Sequence, residues 1–243
     1  MLHIALRIAQ TEQNQDGITY IYDLMANLAF ETEDYDKAQK LFKAVMQRII
    51  MNGAPEDDLR IVTMSLKLAK ILEHRGDYLN AENGYQYCLK ILQKLIDEEK
   101  QDDNVVALWE VNVDWYAHML LAASRYSEAM KYMEKAYVAC VKHNGETHEQ
   151  SVVLLNDLGL ISFMKGNLDD ALHYLNKAVE IGEKLPNMDN VSSIHVNLGN
   201  VYMKKGLINE AKHSCLKGWK LSKKINNKEL LEEANLCLKE VNK

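Results

Sequence analysis

The stretch Asp34-Tyr35-Asp36-Lys37-Ala38 (DYDKA, 34–38) returns in altered form four times: DYLNA (77–81), RYSEA (125–129), NLDDA (167–171) and LINEA (207–211). The closing alanines, Ala38, Ala81, Ala129, Ala171 and Ala211, stand 43, 48, 42 and 40 residues apart. Twelve residues before each lies another small residue: Ala26, Ala69, Ala117, Gly159 and Gly199. Two antiparallel helices joined by a short turn account for this spacing. Their axes approach to about 8–10 Å only where the facing side chains are small. Gly76, Gly166 and Gly206 fall in the turn, where a left-handed residue ends the first helix. Tyr35, Tyr78 and Tyr126 fall three before the alanine, where a flat ring can fill the turn.

Apolar or small residues follow four and seven positions after each alanine, as in Phe42 and Val45, Tyr85 and Cys88, or Leu175 and Ala178. AENGYQYCLKILQKLIDEEK (81–100) keeps Tyr85, Cys88, Leu92 and Leu95 at helical spacing, so the second helices are long. Loops are expected at 52–55, 101–104, 143–147 and 185–190, with Thr147 and Gln150 as a capping box. The fold expected is all-α: a right-handed solenoid of about five helix–turn–helix repeats, near 19–52, 62–100, 110–143, 152–185 and 192–224, in a single domain over 1–243. Leu2, Ala5, Leu6 and Ala9 form a partial N-terminal repeat that reads as joined in mid-pattern. A capping helix over 228–242 lays Leu231, Ala234, Leu238 and Val241 on the last hairpin and turns Glu232, Glu233 and Lys239 to water.

Composition narrows the function. The chain has 243 residues with two prolines, 47% apolar and 26% charged, which is the composition of a folded, helix-rich protein. A net charge of −6 argues against general nucleic-acid binding. No run approaches the 18 or so apolar residues that span a bilayer. Residues 1–16 hold one basic residue, Arg7, against Glu12 and Asp16, unlike a signal or transit peptide. Cys88, Cys140, Cys215 and Cys237 are scattered, a pattern expected of a reducing compartment rather than a disulfide framework or zinc site. His143 and His148-Glu149 read as loop residues lacking a third ligand, so no metal site is expected. Trp109, Trp115 and Trp219 read as packing residues. Phosphate loops, serine elbows and zinc-protease helices are missing from the sequence, so neither catalytic residues nor a cofactor are expected. The expectation is a binding protein, not an enzyme.

In stacked hairpins of this kind the first helices line a concave wall. The inner positions fall fifteen residues before each alanine (Asp23, Leu66, Asp114, Asn156, Val196) and eleven before it (Asn27, Lys70, His118, Leu160, Asn200). The polar members, Asp23, Asn27, Lys70, Asp114, His118, Asn156 and Asn200, are the candidate groove for an extended polypeptide. Lys205, Lys212, Lys217, Lys220 and Lys224 recur at helical spacing as a basic edge, open to an acidic partner or to peripheral contact with an anionic membrane. A solvated face accounts for the same lysines. Oligomeric state is not fixed by any of these patterns.

The repeated hairpins are similar to those of the tetratricopeptide repeat family, although that family's usual period is 34 residues and its regular Trp and Pro are missing here. ITYIYDLMANLAFETEDYDKAQKLFKAVM (18–46) and SLKLAKILEHRGDYLNAENGYQYCLKILQKLIDEEK (65–100) resemble a mitochondrial branch of it, the maintenance factors of respiratory complex III. That resemblance implies an imported, inner-membrane-associated scaffold acting on complex III and its Rieske iron–sulfur subunit. GETHEQSVVLLNDLGLISFMKGNLDDALHYLNKAVEI (145–181) also resembles kinesin light chain repeats, which implies a cargo adaptor instead. Those repeats carry an L-N-N-L run, and here Leu155-Asn156-Asp157-Leu158 lacks the second Asn. Some relatives grip a chaperone's terminal carboxylate with a Lys fifteen before the alanine, where this chain has Asp, Leu, Asp, Asn and Val.

Overall fold

The computed structural model describes residues 1–98, 103–186 and 188–242. Among these residues every regular element is an α-helix. They are α1 (Leu2–Thr11), α2 (Gln15–Glu31), α3 (Tyr35–Met51), α4 (Leu59–His74), α5 (Tyr78–Asp97), α6 (Asp103–Ala122), α7 (Tyr126–Asn144), α8 (Glu149–Met164), α9 (Leu168–Gly182), α10 (Val191–Lys204), α11 (Ile208–Ile225) and α12 (Lys228–Val241). The five expected hairpins are α2/α3, α4/α5, α6/α7, α8/α9 and α10/α11. Contacts group into two compact units, residues 1–115 and 116–243. Of the loop expected at 101–104, residues 101 and 102 lie outside the described residues, whereas Asp103 and Asn104 open α6; Asn187 in the loop at 185–190 also lies outside them.

All five alanines are fully buried, and so are their small counterparts. A Cβ built on Gly159 would stand 2.5 Å from Leu175 Cγ, and one on Gly199 2.5 Å from Cys215 Sγ and 2.8 Å from Cys237 Sγ. The close approach that the small residues imply is therefore real, and protein interiors this dense leave no slack for an added methyl.

All five turns are one structure. Five residues before each alanine the backbone is left-handed: Glu33 (φ 59°), Gly76 (79°), Ser124 (58°), Gly166 (83°) and Gly206 (77°). The next residue's amide reaches back five positions to a helix carbonyl, from Asp34 to Ala29 (2.8 Å), Asp77 to Leu72 (2.9 Å), Arg125 to Leu120 (2.8 Å), Asn167 to Ser162 (2.9 Å) and Leu207 to Tyr202 (2.9 Å). This bond satisfies a carbonyl left open at the helix end. Three glycines mark the turn in the sequence; Glu33 and Ser124 do the same work at a steric cost. Asp34 and Asp77 also cap the following helix, through the amides of Lys37 and Asn80.

In the first unit, Ala9 of α1 packs with Ile18, Ile21 and Met25 of α2. Phe42, Val45 and Ile49 of α3 pack with Ile61, Met64 and Ile71 of α4. In the second, Leu175 and Ala178 of α9 meet Ile194, Leu198 and Val201 of α10. Helix α12 covers the last hairpin with Ala234, Cys237 and Val241, while Glu232, Glu233 and Lys239 are exposed.

Several expectations need correction. Cys215 and Cys237 are joined by a disulfide, because α12 folds back along α11 and brings together residues 22 apart. Cys88 and Cys140 remain free and buried, and burial pushes the Cys88 thiol up to about 12. Thr147 is not the cap of α8. The extended residue is His148, whose Nδ1 accepts the Gln150 amide at 3.2 Å. His143 lies in the last turn of α7 and Glu149 opens α8, so of the three expected loop residues only His148 is outside a helix. Tyr78 does not fill its turn: it is 59% exposed, whereas Tyr35 packs against Phe30 and His74.

Two outcomes follow from this architecture. Ser124→Gly raises stability by about 1 kcal/mol in urea unfolding and Gly166→Ala lowers it by about as much, because only glycine occupies the left-handed turn without cost. Denatured without reductant, the protein presents two thiols to a colorimetric thiol reagent; four would contradict the Cys215–Cys237 link.

Candidate binding groove

In the first unit a groove of about 780 Å³ opens between α2 and the start of α4. Its floor is the second half of α3, with Phe42, Val45 and Ile49, and its end is closed by the Asn52–Pro55 loop. Along the α2 wall stand Asp16, Tyr20, Asp23 and Asn27. The wall is braced from behind: Arg48 of α3 donates to Thr19 Oγ1 (2.8 Å) and Gln15 Oε1 (2.6 Å). Opposite, Asp58 is held by Arg60 through two bonds of 3.0 and 2.7 Å, and the guanidinium keeps this carboxyl below the usual range.

Asn27 is less available than its position suggests. Its Nδ2 donates to the Asp23 carbonyl (2.9 Å), and its Oδ1 accepts from the Lys67 ammonium of α4. Lys67 is partly desolvated, which lowers its pKa, while the fields of Glu31 and Asp23 work the other way. Lys70 pairs with Glu73 (3.1 Å) and lies over the Trp115 ring, which stacks on Phe30 at 6.3 Å. Beneath this shelf the buried Tyr85 hydroxyl donates to Glu73. Burial first, then this carboxylate, raise the phenol's pKa.

In the second unit Asn156 of α8 accepts from Asn197 of α10 (2.9 Å), so this amide too serves the protein itself. Asn200 is half-buried, with no partner among the described residues. His118 is exposed, and Asp114 at the end of the first unit is half-buried; both already engage other groups. Of the apolar inner positions, Leu66 and Val196 are buried at 1% and 6%, so they are packing residues rather than groove lining.

The basic edge is partly neutralised within the second unit. Lys205 pairs with Asp169 and Lys217 with Glu183 (3.3 Å). The buried His195 also bonds Glu183 (3.1 Å), its Nε2 donating to the carboxylate; burial holds this imidazole's pKa down. Burial opposes the Glu183 charge, but the bonds from His195 and Lys217 outweigh it and lower its pKa. Lys212, Lys220 and Lys224 are exposed without an acidic partner among the described residues. Trp219 packs on the last core cluster beneath Lys223, and Trp109 is buried.

Among the sequence candidates, Asp23 and Asn27 line this groove. Asp16, Tyr20, Lys67 and Asn197 were not among those candidates. Lys67 and Asn197 share a readable signal: each stands fourteen residues before its alanine and reaches the first helix of the preceding hairpin.

Two family models described as Tetratricopeptide repeat match residues 109–184 and 192–224. The chain is 33% identical over 241 residues to the Drosophila melanogaster protein named Tetratricopeptide repeat protein 19 homolog, mitochondrial, a match covering 99% of this chain and 65% of that protein. It is 38% identical over 194 residues to the Danio rerio Tetratricopeptide repeat protein 19, mitochondrial, covering 75% of this chain and 48% of that one. The chain thus spans about half to two thirds of these relatives. Among solved structures, BtubC (BKLC) from P. vanneervenii aligns with a TM-score of 0.75 at 20% identity, over 93% of this chain and 88% of that one, a likeness of fold. With the repeated hairpins, these matches identify the chain as a member of the tetratricopeptide repeat family and a homologue of the proteins named tetratricopeptide repeat protein 19.

Proposed function

We propose that the chain is a mitochondrial, non-catalytic scaffold that assists assembly or maintenance of respiratory complex III by holding its subunits, the Rieske iron–sulfur protein among them. The observation that carries this reading is the homology along almost the whole chain to relatives named mitochondrial. The resemblance of residues 18–46 and 65–100 to the complex III maintenance branch adds the partner. The groove beside α2 suits such a role: it is open, walled by polar side chains and stiffened from α3, so it can hold an extended polypeptide without reorganising. Inner-membrane association is part of the same proposal. Peripheral contact with anionic lipid would fall to Lys212, Lys220 and Lys224, the lysines of the basic edge without carboxylate partners among the described residues.

The kinesin-light-chain-like adaptor keeps the support of residues 145–181, but a local likeness weighs less than a match over 241 residues. One experiment separates the two readings. The tagged full-length protein, fractionated and purified under mild detergent, is expected in mitochondria together with complex III subunits. A cytosolic protein that co-purifies with a motor would overturn the proposal.

A further inference from the structure

We infer that the groove between α2 and α4 takes a basic segment of the bound polypeptide, with a Lys or Arg side chain laid over the Tyr20 ring between Asp16 and Asp23. This deepens the polypeptide-binding reading above and rests on it. Asp16, Tyr20 and Asp23 stand at i, i+4 and i+7 on α2, one helical face, and all three line the groove. Tyr20 is 64% exposed, so its ring is accessible from the cavity it lines. Neither flanking carboxylate has a hydrogen-bond or ion-pair partner among the described residues. The third carboxylate of the groove, Asp58, is neutralised by Arg60. Of the cations that reach this wall, Lys67 is committed to the Asn27 amide and feels the Asp23 charge without pairing with it, and Arg48 is committed to Thr19 and Gln15.

The chemistry selects a cation. An aromatic face attracts an ammonium or guanidinium group by about 0.5–2 kcal/mol, more as water is excluded. Two unpaired carboxylates beside it add attraction for positive charge and repel negative charge, which sets partner choice. Ala54 and Pro55 at the end of the cavity, with Leu59 beside them, give the aliphatic stem of Lys or Arg an apolar surface to cover. A large apolar anchor has little to gain, because Phe42, Val45 and Met64 beneath the groove are already buried. A partner's terminal carboxylate would meet two charges of its own sign.

The test uses the whole 243-residue chain, panned against a random peptide library. Peptides that bind are measured by fluorescence anisotropy against wild type, Asp23→Lys, Asp16→Lys/Asp23→Lys and Tyr20→Ala, with circular dichroism to show that each variant is folded. The expected result is enrichment of Lys and Arg, weakening of about tenfold or more by Asp23→Lys, a smaller loss by Tyr20→Ala, and affinity that falls with salt. Exchanging the peptide's key basic residue for Glu restores binding to the Asp23→Lys variant. Peptides lacking basic residues, or bound equally well by the double variant, would sink this inference and leave the scaffold reading standing. If the folded chain captures no peptide at all, both fall.

Discussion

The constraint on which the rest of this structure depends is the distance between the two helices of a hairpin. That distance is set where a small residue in the first helix faces the start of the second. At Gly159 the Leu175 side chain occupies the space that any larger residue would need. Once the crossing is fixed, so is the face of the first helix that turns inward. Residues fourteen before the alanine reach across to the preceding hairpin, as Lys67 does to Asn27 and Asn197 to Asn156. Those fifteen and eleven before it are half-buried or exposed wherever they are polar. The groove therefore follows from the packing.

The fold was legible in the sequence because its determinants are local and repeated. Five copies of a small residue at matched spacing say more than any one of them, and Ala38, Ala81, Ala129, Ala171 and Ala211 are all buried. What stayed hidden was conformation without a residue signature. Glu33 and Ser124 adopt the left-handed turn because the hairpin geometry demands it, although neither side chain favours it. His148 displaces Thr147 as a cap because Gly145 ends α7 and sets where the chain re-enters a helix. The Cys215–Cys237 pairing needs the path of α12, which cysteine spacing alone does not reveal.

The groove was half legible, for a different reason. Sequence position shows which side chains point inward, but not whether their hydrogen-bonding capacity is already spent. Asn27 and Asn156 look like ligand amides, yet each binds a neighbouring first helix and so stiffens the wall. In the groove beside α2 the groups left over are charged: Asp16 and Asp23 around Tyr20. The result is an internally bonded wall carrying two carboxylates without partners among the described residues, so little side-chain reordering is needed to meet a charge there.

Gly199 ties the covalent and the packed parts of the last hairpin together. The two sulfurs of Cys215 and Cys237 occupy the volume that a side chain at 199 would claim. These three positions are therefore one steric unit, and their substitutions are not independent. A methyl at 199 is tolerable only in a background where the sulfurs have already been replaced by something smaller. Conversely, losing both sulfurs leaves a void that a larger residue at 199 could refill. Sequence drift in the capping helix is thus coupled to drift in the middle of α10, across two elements that a linear reading would treat as separate.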